Sequence, residues 1–234
     1  MVKPKVVAVV PTRKGSQRIP SKNTRPFLDT NLLELKLRVL KHVPNIDNII
    51  VNTDCEKSEE IAKSYGIDIH RRDPYYASST ITNDSHWRHI AETTEADIIL
   101  LAQTTSPMVK VDSYIKAIDM LISSDIDSVN SVSIEKKFLW YEGKPLNYDI
   151  DKTPKSQELP NIVSLNYAIT LIDKKTMFER GNIVGNRPRF ITLNDIESTD
   201  IDDQIHFDFS EFLYEKYGFK WLQEKNLGDF HEIK

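Results

Sequence analysis

Val6-Val7-Ala8-Val9-Val10-Pro11-Thr12-Arg13-Lys14-Gly15-Ser16-Gln17-Arg18-Ile19-Pro20-Ser21-Lys22-Asn23 is the stretch from which the fold is read. Its first residues form a continuous, mostly β-branched apolar run with no polar face. A strand of that kind is buried on both sides, as in a parallel sheet covered by helices. Polarity then changes abruptly. Arg13, Lys14, Arg18 and Lys22 place four cations in the eleven residues from Arg13 to Asn23, with Gly15 among them. In open α/β sheets ligands bind at the carboxyl ends of the strands. Positive charge plus a glycine that lets backbone N–H groups approach suits a polyphosphate there. The G-x-x-x-x-G-K-[ST] and G-x-G-x-x-G spacings are both absent. The alternative reading is a solvated basic loop.

Outward from this stretch the chain alternates. Asn31–Val43 reads as an amphipathic helix, Asn48–Asn52 as a buried strand, and Lys57–Tyr65 as a helix closed by Gly66. Ile67–His70 is a short strand and Thr82–Thr94 a helix. Asp97–Leu101 is a buried strand and Val111–Ser123 a helix with Asp112 as the expected N-cap. Ser128–Ile134 and Val163–Ile172 read as strands, Lys174–Arg180 as a short helix and Phe209–Tyr217 as a late helix. Strand–helix alternation of this kind predicts an α/β fold: a mostly parallel, Rossmann-like sheet with helices on both faces. The stretch 136–162, with Gly143, Pro145, Pro154 and Pro160, breaks the rhythm and is expected to be an inserted arm within a single domain spanning 1–234.

Composition narrows the function classes. The chain has 234 residues, enough for one domain with a substantial core. With 31 basic and 35 acidic residues and a net charge of −4, bulk electrostatic binding to nucleic acid is not expected. The lone Cys55 excludes an internal disulfide and a Cys-based zinc site. No apolar run approaches the roughly 18 residues of a membrane span, and the N-terminus offers no signal-peptide core, so a cytoplasmic location is expected.

Two further segments carry chemistry. Gln103-Thr104-Thr105-Ser106-Pro107 follows a buried strand and offers small polar side chains at the same sheet edge. It also reads as an ordinary capped turn. Asp200 and Asp202 stand two apart, so an extended backbone points both carboxylates to one side, a pair suited to Mg²⁺ completed by water and phosphate. An acidic turn is the alternative. His86 and His89 share a helix face at i and i+3, but no third ligand is near in sequence, and a structural role is the reading adopted.

Together these segments resemble the acylneuraminate cytidylyltransferase family, the CMP-sialic acid synthetases and their relatives, from Val6 to about Glu215. The opening R-x-G-S-x-x-x-P-x-K-N motif is similar to Arg13–Asn23, the T-D motif to Thr53-Asp54, and R-P-x-x-L-A to Arg72–Ala77. The Q-P-T-S-P motif resembles Gln103–Pro107, L-P-x₅-N-G-A resembles Leu159-Pro160 through Asn166-Tyr167-Ala168, and S-x-D-I-D matches Ser198–Asp202. The resemblance implies a CTP-dependent nucleotidyltransferase that attaches CMP to an acidic sugar and releases pyrophosphate. It implies that Arg13 and Lys22 hold the CTP phosphates, aided by Gly15, Ser16 and Arg18, with Asn23 and Arg72 near cytosine and ribose. Gln103, Thr105, Ser106, Lys155, Asn166 and Tyr167 would lie on the acceptor side. Asp200 and Asp202 would bind Mg²⁺, with Asp202 counted with Arg13 and Lys22 as catalytic. The arm would make a homodimer.

The sequence departs from the family pattern at Gln17, Ser79, Ser156 and Tyr167, where the family has Lys, Asp, Arg and Gly, and its last Asp falls two residues late, at Asp208. These changes point to a modified nonulosonic acid or a smaller acidic acceptor, including a small phosphonate. The rival readings are a metal-dependent glycosyltransferase and a nucleotide-binding relative without turnover.

Overall fold

The apolar run forms strand β1 (Val6–Pro11), buried from Val6 to Val10, in the computed structural model, which describes residues 3–16, 18–78 and 80–218. There follow α1 (Leu32–Lys41), β2 (Asn48–Thr53), α2 (Glu56–Ser64), β3 (Asp68–Arg71), a single turn α3 (Pro74–Ala77), α4 (Asn83–Thr93) and β4 (Ile98–Leu101). Then come α5 (Val111–Ile122), β5 (Ser128–Glu135), a hairpin of β6 (Trp140–Tyr141) and β7 (Lys144–Pro145), and β8 (Ile162–Asp173). The chain continues through α6 (Lys174–Arg180), β9 (Pro188–Thr192) and α7 (Gln204–Leu213). The departures at Gln17 and Ser79 lie outside the described residues.

The seven-stranded sheet has the order β3-β2-β1-β4-β8-β5-β9. Every neighbouring pair is parallel except those of β8, which runs antiparallel to both β4 and β5. Side chains alternate across β1 with the period of two that a strand imposes. Val6, Ala8 and Val10 join the larger core with Leu33 and Leu37 of α1, Tyr114 and Ile118 of α5, and Phe207 of α7. Val7 and Val9 join the smaller core with Ile90 and Ala91 of α4 and Met177 of α6. Helices therefore cover both faces. Each fully buried aliphatic side chain contributes roughly 1.5–3 kcal/mol.

The antiparallel β8 positions the site. β5 and β8 are joined by the arm, without a crossover helix, so β8 must return in the opposite direction. It enters the sheet at the edge where β1 and β4 leave it. Leu101 pairs with Thr170, which sets Asn166 and Tyr167 beside the segment after Leu101. The β5–β8 ladder is interrupted between Asn130 and Val132, whose partners are Thr170 and Leu165. Tyr167 sits in this bulge with φ of +54°, a left-handed backbone that non-glycine residues seldom adopt.

Three sequence expectations change. The N-cap of α5 is Lys110, not Asp112. The Glu197 carboxylate reaches that helix start, accepting from the Lys110 N–H at 3.1 Å and the Ser113 hydroxyl at 2.5 Å. The last helix begins at Gln204, not Phe209, because Asp203 caps it by accepting the His206 N–H; it widens into a π-helical turn over Tyr214–Gly218. Strand β9 was not expected. It is an edge strand whose residues are largely exposed, so it carries no buried apolar run to announce it. The arm holds the hairpin and two 3₁₀ turns, Ile150–Lys152 and Ser156–Glu158, with Trp140 and Tyr141 exposed. β8 begins at Ile162, the last residue of the expected arm.

Candidate active site

The loops after β1, β3 and β4 converge at one sheet edge, as strand polarity requires. Between them is a cavity of about 300 Å³ lined by Thr12, Arg13, Ser16, Arg18, Lys22, Asn23, Arg72, His86, Trp87, Gln103, Thr104, Thr105 and Asp202. The basic loop is tied down at several points. Gly15 takes φ of +77°, a turn that suits glycine. Asp54 accepts the Lys14 N–H at 2.7 Å, which is the physical work of the Thr53-Asp54 pair. Asn23 accepts the Thr104 hydroxyl at 2.8 Å, joining the basic loop to the segment after β4. Arg72 is buried and directs Nε and Nη2 to the side-chain and backbone oxygens of Asn52; burial lowers its pKa to about 10. Lys22 donates to the Ile201 carbonyl at 2.7 Å. Burial holds its pKa below the ordinary lysine value, against the opposing charges of Asp200 and Asp202.

The acidic segment meets the basic loop across this cavity. Ile201 is fully buried while Asp200 and Asp202 on either side of it turn away from the core, the alternation of an extended backbone. Asp202 pairs with Arg18 at 2.8 Å. Burial raises the pKa of Asp200, and the Asp202 charge adds to it; the Thr105 hydrogen bond and Lys22 act the other way. Two hard carboxylates beside a cationic phosphate-sized cavity fit a magnesium ion that takes its remaining ligands from phosphate and water. Among the described residues no group of three or more His, Cys, Asp or Glu side chains is placed to hold a metal without such help.

A second cavity, about 620 Å³, adjoins the first. It is lined by Asn83, Asp84, Trp87, Gln103, Thr105, Ser106, Asn166, Tyr167, Gly181, Asn182, Ile183 and Asp200. Trp87, Gln103 and Thr105 border both cavities and form the wall between them. Gly181 closes α6 with φ of +62°, and a Cβ there would meet Asp84 and Arg88 of α4, so glycine lets the two helices approach. Asn166 is fixed by Ser131 and Ser133 across the bulge. Two hydroxyls without a protein partner, Thr12 Oγ1 and Ser106 Oγ, belong to residues bordering the first and second cavities respectively.

The structure thus gathers Arg13, Ser16, Arg18, Lys22, Asn23, Arg72 and Asp202 at one cavity and Gln103, Thr105, Ser106, Asn166, Tyr167 and Asp200 at the other. Lys155 lines neither; it is the exposed N-cap of a 3₁₀ turn in the arm, with Ser156 next to it. Sequence reasoning passed over Trp87 and Asn182 and set His86 aside as structural. The helical face that carries His86 and Trp87 was visible, but its approach to the β1 and β4 loops depends on sheet order. His86 borders the first cavity, and His89 stacks on Tyr76 with ring centroids 3.6 Å apart.

An α/β sheet that presents a cationic loop to a carboxylate pair at its strand ends defines a nucleotide-binding class of protein. The family model described as Cytidylyltransferase matches residues 7–220, and the chain belongs to that family. It is 27% identical to the N-acylneuraminate cytidylyltransferase of Oncorhynchus mykiss over 95% of this chain and 53% of that protein. It is 25% identical to the CMP-N,N'-diacetyllegionaminic acid synthase of Legionella pneumophila, over 90% of this chain and 97% of that one. The chain spans about half the length of several of these curated relatives, the Oncorhynchus mykiss protein among them. In fold it is similar to CMP:2-keto-3-deoxy-manno-octonic acid synthetase complexed with CTP, with a TM-score of 0.68 and 13% identity, covering 91% and 99% of the two chains.

Proposed function

We propose that this chain transfers a cytidylyl group from CTP to a hydroxyl of an acidic sugar, with release of pyrophosphate. The observation that carries the reading is the cavity in which Arg13, Arg18 and Lys22 face Asp202, sharing a wall with a second cavity lined by Asp200. The family match and the relatives' names support it.

In this reading Arg13 and Lys22 hold the triphosphate, Ser16, Arg18 and the backbone at Gly15 assist, and Asn23 and Arg72 face the nucleoside. Asp200 and Asp202 hold Mg²⁺, which when bound offsets charge on the phosphate oxygens. The acceptor lies against Gln103, Thr105, Ser106, Asn166 and Tyr167. Its hydroxyl oxygen loses a proton and bonds to the α-phosphorus while the bond to the bridging oxygen breaks and pyrophosphate leaves. Catalysis is then positioning plus fixed charge. The second cavity has amides from Asn83, Gln103, Asn166 and Asn182, apolar walls at Trp87 and Ile183, and among the described residues no lysine or arginine in its lining. That chemistry favours a nonulosonic acid carrying a second acylamino group over N-acetylneuraminate, which has one. The protein acts as a cytoplasmic homodimer joined through the arm and the adjoining sheet.

The test is pyrophosphate release with CTP and Mg²⁺ across nonulosonic acids, 3-deoxy sugars and small phosphonates. Release with a nonulosonic acid, abolished by EDTA, is expected. Release with phosphonates alone, or with no acceptor at all, overturns the reading.

A further inference from the structure

Among the described residues Lys36 is the one buried lysine, on the buried face of α1 and 1% exposed. Its Nζ lies 2.8 Å from the Ser106 carbonyl and 2.8 Å from the Tyr114 hydroxyl on α5, and 5.4 Å from the Tyr114 ring centre. Ser106 ends the segment Gln103–Ser106, which borders both cavities of the proposed site. The same segment is tied from the other side by Asn23 to Thr104 and by the Ile201 N–H to the Thr105 carbonyl.

We infer that Lys36 is a positioning residue, whose amine, bonded to Ser106 and Tyr114, holds the shared wall of the two cavities in place. The inference rests on the reading of those cavities given above.

Full burial with no opposing charge favours the neutral form of the amine. Nζ stands as donor to both the Ser106 carbonyl and the Tyr114 oxygen; as a neutral amine it can accept the Tyr114 O–H instead, so both partners are satisfied. An ammonium has three N–H groups and no lone pair. It would leave one N–H and the phenol proton without a partner in a site that excludes water, which is costly. Among the described residues no carboxylate bonds to Lys36. On its own helix Glu34 is engaged by Thr30 and Arg38. On the α5 side Glu197 is taken by Lys110, Ser113 and Asn194. Burial accordingly lowers the Lys36 pKa to about 7 from 10.5. The sign follows. Between about 7 and 10.5 the unfolded chain holds a proton that the folded chain does not, so this group makes stability rise with pH across that window. Below about 7 the fold carries the charged form, which keeps the Ser106 bond but leaves the phenol proton and one N–H unpaired, so the wall is held less firmly.

Hydrogen exchange of the 102–108 backbone amides, corrected for intrinsic pH dependence, tests this without any reaction. Wild type, Lys36→Met and Lys36→Gln are compared from about pH 6 to about pH 9. Wild-type protection should fall about tenfold toward the acid end, the scale of one lost hydrogen bond. Lys36→Met should be unprotected and insensitive to pH. Lys36→Gln, which donates and accepts without titrating, should be insensitive to pH and keep more protection. In pyrophosphate release, Lys36→Met should raise the acceptor KM about tenfold with a smaller change in kcat, and both variants should lose the acid limb of kcat/KM near pH 7. Wild-type exchange and a wild-type pH profile in Lys36→Met would overturn the inference. If Lys36→Met does not fold, Lys36→Gln carries the same comparison. If the wild type releases no pyrophosphate with any acceptor, the functional reading fails while the exchange data still judge Lys36.

Discussion

Tyr167 is held in a left-handed backbone, where a Cβ costs roughly 1–2 kcal/mol and glycine pays nothing. Its ring is 42% exposed, so little burial offsets that cost. Two variants separate backbone from ring. Tyr167→Gly should be more stable than Tyr167→Ala by about 1 kcal/mol in urea unfolding, the reverse of the usual order in a strand. The glycine variant should also raise kcat/KM for N-acetylneuraminate, because Tyr167 lines the second cavity and its removal enlarges it; equal activity in wild type and variant would show that Tyr167 does not set acceptor choice. His86 offers a different check. Burial first, then the charges of Arg72, His89 and Arg13, lower its pKa to about 4 from 6.5. The folded protein keeps it neutral while the unfolded chain takes up a proton, so stability is lost as pH falls from about 6.5 to about 4. The slope from this one group is at most about 1.4 kcal/mol per pH unit. His86→Gln should flatten that part of a stability–pH curve measured by thermal melts. An unchanged curve would mean the other histidines or carboxylates carry the acid limb.

At the scale of elements, the acidic segment is held by parts of the chain distant in sequence. Glu197 fastens it to the start of α5, Lys22 bonds the carbonyl between its two aspartates, and Asp203 starts α7 immediately after it. Asp200 and Asp202 are thus fixed from three directions before any ligand arrives. Asp202 is the more exposed of the two, and its ion pair with Arg18 contributes little to stability because both side chains are more than half exposed. Asp202→Asn should therefore fold normally, with an unchanged melting temperature. Turnover should fall about a hundredfold or more, since a bound metal supplies several kcal/mol to the transition state. Near-normal turnover that still requires Mg²⁺ would remove Asp202 from the proposed metal site.

At the scale of the molecule, an apolar patch lies uncovered where β5 and β8 run past the bulge toward the arm. Ile134 pairs in register with Val163, and Leu165 follows on the same side of β8; all three are exposed. Phe190 on β9 and the arm's Phe138, Trp140 and Tyr141 are exposed as well. A surface of this kind on a charged protein marks an interaction site. The two-fold homodimer proposed above would cover it through β8 and the arm. Leu165→Lys should convert the dimer to monomer in sedimentation velocity at unchanged helix content. A wild-type chain that sediments as a monomer at micromolar concentration would count against the dimer.

The parts legible in the amino-acid order are those in which neighbouring residues carry the signal. A β-branched run buries itself on both faces wherever the chain places it, so β1, β2 and β4 could be read directly. Charge density marked the basic loop, and the alternation around Ile201 marked the aspartate pair. Strand polarity then dictated that the loops after β1 and β4 share an edge. What could not be read depends on groups brought together by sheet order. Lys36 and Ser106 are 70 residues apart, and Lys110 and Glu197 are 87 apart. No local pattern couples such pairs. A lysine in an amphipathic helix reads as a surface residue until its neighbours are known, and a glutamate in an acidic run reads as solvated. The direction of β8 belongs with these. An arm in place of a crossover helix turned that strand around, and only so do Asn166 and Tyr167 reach the edge where the nucleotide loops end.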